Sequence, residues 1–137
     1  MALLFLKNIS LFKNLSFDDL LALDSALCKR SFLQHEVIKK PGTRLQEMYL
    51  IYRGRVQMSK AGTPRIFTEG ECLGEVALFE DLPVEAGLTA ESDCVILELS
   101  RNQFHRLAMR SPEVMFELCK ILAAQAREAA LQKWGAQ

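Results

Sequence analysis

The stretch GECLGEVALFEDLP, residues 70–83, decides the fold. Two glycines, Gly70 and Gly74, stand four residues apart in it. Both are predicted to occupy turns that need a positive φ, which glycine adopts at little cost. Residues 71–100, which begin inside this stretch, contain eight acidic side chains and no Lys or Arg. A bound anion would therefore find no basic side chain within this segment.

Short apolar runs surround this stretch, separated by turn residues such as Pro41-Gly42 and Gly54. The runs occupy residues 37–38, 48–52, 56–58, 66–67, 88–90 and 94–99. Alternation with a period of two and a spacing of about ten residues are typical of antiparallel strands. The segment 29–99 therefore predicts seven or eight strands in a sandwich, roll or barrel.

Helix signals stand on both sides of the strand region. Ser16 with Asp19 forms a variant capping box, which predicts a helix over residues 17–27. Ser100 predicts the start of a helix that runs to about residue 108. Ser111-Pro112-Glu113 then predicts a long helix to about residue 133, ended by Gly135.

The order of these motifs, over about residues 11–133, resembles the cyclic nucleotide-binding domain family. Gly70, the pairs at residues 74–75 and 77–78, and Pro83 match the family's phosphate-binding cassette. The family includes bacterial catabolite-activator-type regulators, the regulatory subunit of protein kinase A, and cyclic nucleotide-gated channels. The resemblance implies a mainly β fold, a jelly-roll-like β-roll with an N-terminal helix and a long C-terminal helix.

We expect one domain over residues 1–137. Its N-terminal helical part is expected at 1–28, the β-roll at 29–99 with the cassette at 70–90, and the C-terminal helices at 100–134.

The resemblance also implies a ligand site in the cassette. In the family, a glutamate accepts a hydrogen bond from the ribose 2′-hydroxyl of the nucleotide, and Glu75 holds that place here. Backbone N–H groups of the short helix that follows, and an arginine directly after the proline, hold the phosphate. The ligand-binding positions implied in this sequence are Gly74, Glu75, Val76, Ala77, Val84, Glu85 and Ala86.

The sequence departs from the family pattern at the phosphate. Val84 stands at the arginine position, Glu85 where a small residue is usual, and Gly87 where a hydroxyl often assists. Losing a buried charge-assisted pair costs roughly 2–5 kcal/mol, so weak or no binding of cAMP or cGMP is expected. Without the arginine, Glu75 would instead hydrogen-bond backbone amides. A replacement cation could come from another strand, with four candidates: Arg44, Arg53, Arg55 and Arg65.

The sequence contains no motif for a metal, haem or catalytic site. The four cysteines have no paired spacing for zinc and are predicted to be reduced, buried thiols: Cys28, Cys72, Cys94 and Cys119. His35 stands where the family's first turn has a glycine, and with Cys28 it forms no haem motif. No nucleophile elbow, Walker loop or metal-ligand pair occurs, so no enzyme, metal or haem is expected.

Composition limits the partners. Half of the 137 residues are apolar, and Lys plus Arg equals Asp plus Glu at 17 each. Without net positive charge, and without a helix-turn-helix after the long helix, direct DNA binding is not expected. The apolar N-terminus is too short for a signal peptide, and no run is long enough to span a membrane. We therefore expect a cytoplasmic protein.

Two functions of different class remain open. The first is a regulatory sensor module in signal transduction that binds a cyclic nucleotide weakly or not at all. The second is an interaction or assembly module, without a ligand, in a larger regulator or transporter. The last helix has more apolar residues than its own roll can cover. We therefore expect a homodimer through this helix or its docking on another domain.

Overall fold

The computed structural model of the chain describes residues 2–9, 12–59, 64–80, 82–83 and 87–135. Its α-helices are α1 (Leu3–Lys7), α2 (Phe17–Ala26), α3 (Arg101–Arg110) and α4 (Pro112–Gly135). A short 3-10 helix, Glu75–Leu78, is called the cassette helix below. The strands are β1 (Cys28–Phe32), β2 (Val37–Lys39), β3 (Arg44–Leu45), β4 (Glu47–Arg53), β5 (Val56–Ser59), β6 (Arg65–Phe67), β7 (Cys72–Leu73), β8 (Leu82–Pro83), β9 (Gly87–Ala90) and β10 (Cys94–Ser100).

The strands form two four-stranded antiparallel sheets, ordered β1-β10-β4-β7 and β2-β9-β5-β6, and β3 pairs with β8. This confirms the predicted class, a mainly β roll with flanking helices. The described residues contain ten strands rather than seven or eight. The additional ones include β3, β7 and β8, each two residues long, which is too short to give a periodic pattern.

The central strands β4 and β10 of the first sheet are buried on both faces, which explains their nearly continuous apolar sequences. Met48 and Leu50 of β4 belong to the core shared with the helices. Tyr49 and Ile51 point the other way, into the interior of the roll. The residues of β10 alternate between the same two cores. The first sheet thus lies between the helical layer and the second sheet.

The predicted helix starts are confirmed. The Ser16 Oγ accepts a hydrogen bond from the Asp19 backbone N–H at 3.2 Å, which caps α2. The Ser100 Oγ caps α3 in the same way, accepting from the Gln103 N–H at 3.2 Å. The helix α4 begins at Pro112, where the missing proline N–H costs no helical hydrogen bond. None of the described helices has the length and hydropathy that a membrane crossing requires.

The prediction that all four cysteines are buried is wrong for Cys28 and Cys119. Cys94 is buried and Cys72 partly buried, but Cys28 and Cys119 are exposed, and all four are free. Cys28 lies in β1, an edge strand that buries only Phe32. Cys119 lies on the solvent side of α4. An apolar neighbour in the sequence therefore did not indicate burial at either position.

His35 occupies the turn between β1 and β2 with a φ of 74°, a left-handed conformation that glycine adopts more readily. We expect His35→Gly to raise the free energy of unfolding by about 1 kcal/mol, because the Cβ strain disappears. Urea denaturation measures this change. His35→Ala keeps the Cβ and should give no gain. A loss of stability in His35→Gly would contradict the expectation.

Candidate functional site

A cavity of about 460 Å³ lies between the cassette helix, the second sheet and the C-terminal half of α4. Its lining combines apolar side chains from several strands with three charged groups. The lining residues are Leu45, Met58, Arg65, Phe67, Cys72, Leu73, Gly74, Glu75, Leu88, Gln125 and Glu128. The volume lies in the range of small-molecule sites, roughly 300–1,000 Å³.

Gly74 sets the direction in which the chain enters the cassette helix. Its φ is 87°, and a Cβ there would lie 3.0 Å from both the Glu47 carbonyl oxygen and the Leu45 Cδ2. A larger residue would therefore be strained by the left-handed conformation, and its Cβ would also crowd these two atoms. The Gly74 carbonyl accepts the Ala77 N–H at 3.0 Å, which closes the first turn of the cassette helix. This turn places Glu75 at the edge of the cavity.

Glu75 is a partly buried carboxyl group. Burial raises the pKa of Glu75 above its ordinary value. A hydrogen bond from its own backbone and the positive charge of Arg65 act in the opposite direction and lower that pKa. A carboxylate whose desolvation is only partly compensated is typical of a functional site.

Arg65 is the one cation among the described lining residues. Its guanidinium lies over the Phe67 ring, 4.5 Å from the centroid. Of the four arginines considered as replacement cations, the structure therefore brings only Arg65 to the described wall of the cavity. Arg55 pairs with Glu91 at 3.5 Å, and Arg53 lies over the Tyr52 ring.

The helix α4 contributes two polar side chains, Gln125 and Glu128, to the cavity wall. Sequence reasoning missed both, because the sequence does not show which face of α4 meets the roll. Cys72 also lines the cavity, and burial followed by the charges of Glu75 and Glu71 raises the pKa of its thiol to about 12. Cys72 is therefore an uncharged thiol at neutral pH.

The predicted ligand-binding residues fall into three groups. Gly74 and Glu75 line the cavity. Val76 is exposed and Ala77 is buried, and neither is among the lining residues. Val84, Glu85 and Ala86 lie outside the described residues. Gly87 is buried, where a Cβ would lie 3.2 Å from the Pro41 ring.

Arg101 connects the cassette helix to the C-terminal helices. Its Nε and Nη2 donate to the Ala77 carbonyl at 3.0 and 2.8 Å. The Phe79 ring packs edge-on against Phe104 of α3, with centroids 5.9 Å apart. Sequence reasoning missed Arg101. One feature of the sequence could have identified it. Arg101 is a cation in the first turn of α3, where the helix dipole disfavours positive charge.

A large aromatic side chain that filled this cavity would block a ligand, and the sequence has two candidates, Phe79 and Trp134. Phe79 packs on Phe104 and is not among the lining residues. The side chain of Trp134 lies outside the described residues.

The raised pKa of Glu75 predicts how the stability of the protein depends on pH. Because its pKa in the folded protein is raised above the unfolded value near 4.5, the protonated form favours folding and the ionised form opposes it. We expect Glu75→Gln to increase the free energy of unfolding at pH 7. The gain should shrink as the pH falls and vanish below the unfolded pKa. Chemical denaturation of the wild-type protein and the variant at pH 7 and pH 3 measures the gain and its disappearance. A lower stability of the variant at pH 7 would contradict the expectation.

The chain is similar in sequence to known proteins. Residues 29–111 match the family model described as "Cyclic nucleotide-binding domain". The cAMP-dependent protein kinase regulatory subunit of Candida albicans is 32% identical over 115 residues, which are 82% of this chain and 25% of that protein. The chain thus spans about a quarter of the length of this relative.

Solved structures share the fold of this chain. The catabolite activator protein of Thermus thermophilus superimposes with a TM-score of 0.78 at 31% identity, covering 90% of this chain and 61% of that one. A cAMP-bound structure of PfPKA-R superimposes with a TM-score of 0.76 at 23% identity, covering 97% of this chain and 46% of that one.

Proposed function

The chain belongs to the cyclic nucleotide-binding domain family, and from this we propose that it is a regulatory sensor module without catalytic activity whose binding of cAMP and cGMP is weak or absent. Its ligand site is the cavity between the cassette helix and α4. Glu75 is the hydroxyl acceptor in it. The observation that supports the proposal most strongly is a cavity of ligand size with Glu75 in its wall and one cation among its described lining residues.

Electrostatics argues against tight binding of a cyclic phosphate. The described lining has one positive group, Arg65, and two negative groups, Glu75 and Glu128. The sequence adds no Lys or Arg between residues 71 and 100, and Val84 stands at the position of the family's phosphate-binding arginine. The absence of a charge-assisted pair costs roughly 2–5 kcal/mol of binding free energy. This cost corresponds to about a thirtyfold to several-thousandfold loss of affinity.

Calorimetry of the purified protein with cAMP and with cGMP tests this proposal. We expect affinities weaker than micromolar for both. The variant Arg65→Gln is the matched test of the remaining cation and should weaken any residual binding further. Micromolar or tighter binding of either nucleotide by the wild-type protein would show that another residue supplies the missing charge.

A second candidate function is favoured by α4. Phe116 and Leu131 on this helix are 65% and 61% exposed. These two side chains give the helix apolar surface that the rest of the described chain does not cover. In this alternative the module assembles with a second copy or another domain and takes no ligand. Sedimentation equilibrium of the wild-type protein and of Phe116→Asp tests it. A monomer at all concentrations would exclude the homodimer.

A further inference from the structure

We propose that the ligand accepted by this cavity is an uncharged nucleoside rather than a cyclic nucleotide. The inference rests on the proposed function, since it names the ligand class for the same cavity. It follows from three properties of the described wall: the position of its two carboxylates, the nature of its apolar surface, and its total charge.

The two carboxylates reach the cavity from two different elements. Glu75 belongs to the cassette helix, and Glu128 belongs to α4. An ionised carboxylate only accepts hydrogen bonds. A ligand that contacts both carboxylates must therefore present a donor to each of them. A nucleoside does so, because its ribose hydroxyls donate at one end and the N–H groups of its base donate at the other.

The rest of the wall suits a flat aromatic ring. Five apolar side chains line the cavity: Leu45, Met58, Phe67, Leu73 and Leu88. Arg65 lies over the Phe67 ring and holds a planar guanidinium beside this surface. A guanidinium stacks on rings and donates hydrogen bonds, so it can serve the acceptor atoms of a purine. Gln125 adds both a donor and an acceptor from α4.

The charge of the wall distinguishes a nucleoside from its phosphate. With one guanidinium and two carboxylates, the described lining has a net negative charge. A cyclic phosphate adds a further negative charge beside these groups, of which Arg65 and Glu128 are exposed and Glu75 is partly buried. A nucleoside keeps the hydroxyls and the base without this repulsion. The volume of about 460 Å³ accommodates it.

The test is isothermal titration calorimetry of the full chain with adenosine, guanosine, cAMP and cGMP. We expect one nucleoside to bind at least tenfold more tightly than the cyclic monophosphate of the same base. If a cyclic nucleotide binds as tightly as its nucleoside or more tightly, the nucleoside proposal is wrong, while a ligand-sensing module remains. If none of the four binds, both fail and the assembly function is favoured.

Three variants locate the site. Glu75→Gln and Glu128→Gln should each weaken nucleoside binding at least fivefold, because each loses an ionised acceptor. Glu80→Gln is the matched control, since Glu80 follows the cassette helix but is exposed and is not among the lining residues. Thermal unfolding confirms that each variant folds. Unchanged binding in the first two variants, or an equal loss in the control, would overturn the assignment.

Discussion

The double variant Val84→Arg, Glu85→Ala is expected to bind cAMP about thirtyfold to more than a hundredfold more tightly than the wild-type protein. In the family register, the first substitution restores the phosphate-binding guanidinium, and the second removes a repelling carboxylate. The recovered free energy is about 2–3 kcal/mol. Gly74 and the cassette helix already have a conformation that places Glu75 at the cavity. Calorimetry with cAMP measures the gain.

A lysine at the same position provides the control. Val84→Lys with Glu85→Ala adds the same charge but lacks the planar fork that binds two phosphate oxygens. We expect a smaller gain from it than from the arginine variant. If the arginine variant is folded but binds cAMP no better than wild type, the missing arginine does not limit binding. Another feature of the cavity would then block the nucleotide, and assembly would become the favoured function.

Gly54→Ala is expected to lower the free energy of unfolding by at least about 3 kcal/mol. Gly54 has a φ of 83°, and a Cβ there would clash with the Asp93 carbonyl oxygen and lie 2.8 Å from the Cys94 Cβ. The nearest atom belongs to the backbone, so a rotamer change cannot relieve the contact. The turn after β4 would have to move away from the start of β10.

The loss in Gly54→Ala has two causes, the left-handed backbone conformation and the contact of the new Cβ. The variant Gly42→Ala separates them. Gly42 has nearly the same φ, 85°, but no atom lies within 4 Å of the place that a Cβ would take there. Its substitution should therefore cost only the left-handed strain of roughly 1–2 kcal/mol. Urea denaturation of both variants gives the comparison. Equal losses would show that the contact with residues 93 and 94 has no energetic consequence.

Local signals in the sequence predicted most of the fold. The caps at Ser16 and Ser100 and the Pro112 start depend on neighbouring residues, and all three are found in the structure. The apolar run at residues 48–51 also predicted a strand, although not that both of its faces are buried. Strands of two residues escaped prediction because they are held by pairing with distant segments.

The candidate site was less predictable because it is assembled from distant parts of the chain. Gly74 and Glu75 could be identified from a contiguous motif. Arg65 could be named only as one of four arginines, because the sequence does not show which strand faces the cavity. Glu128 lies 53 positions after Glu75 and reaches the same cavity only because α4 passes beside it. No local pattern encodes that approach.

We propose that the cavity between the cassette helix and α4 binds a small molecule. Backbone amide chemical shifts of ¹⁵N-labelled wild-type protein, titrated with adenosine and with guanosine, test it most directly. We expect the largest changes at residues 72–75 and 125–128, in the two segments that contribute these parts of the cavity wall. Changes centred instead on the separate cavity beside Asp24 and Tyr52, or no changes with either nucleoside, would contradict it.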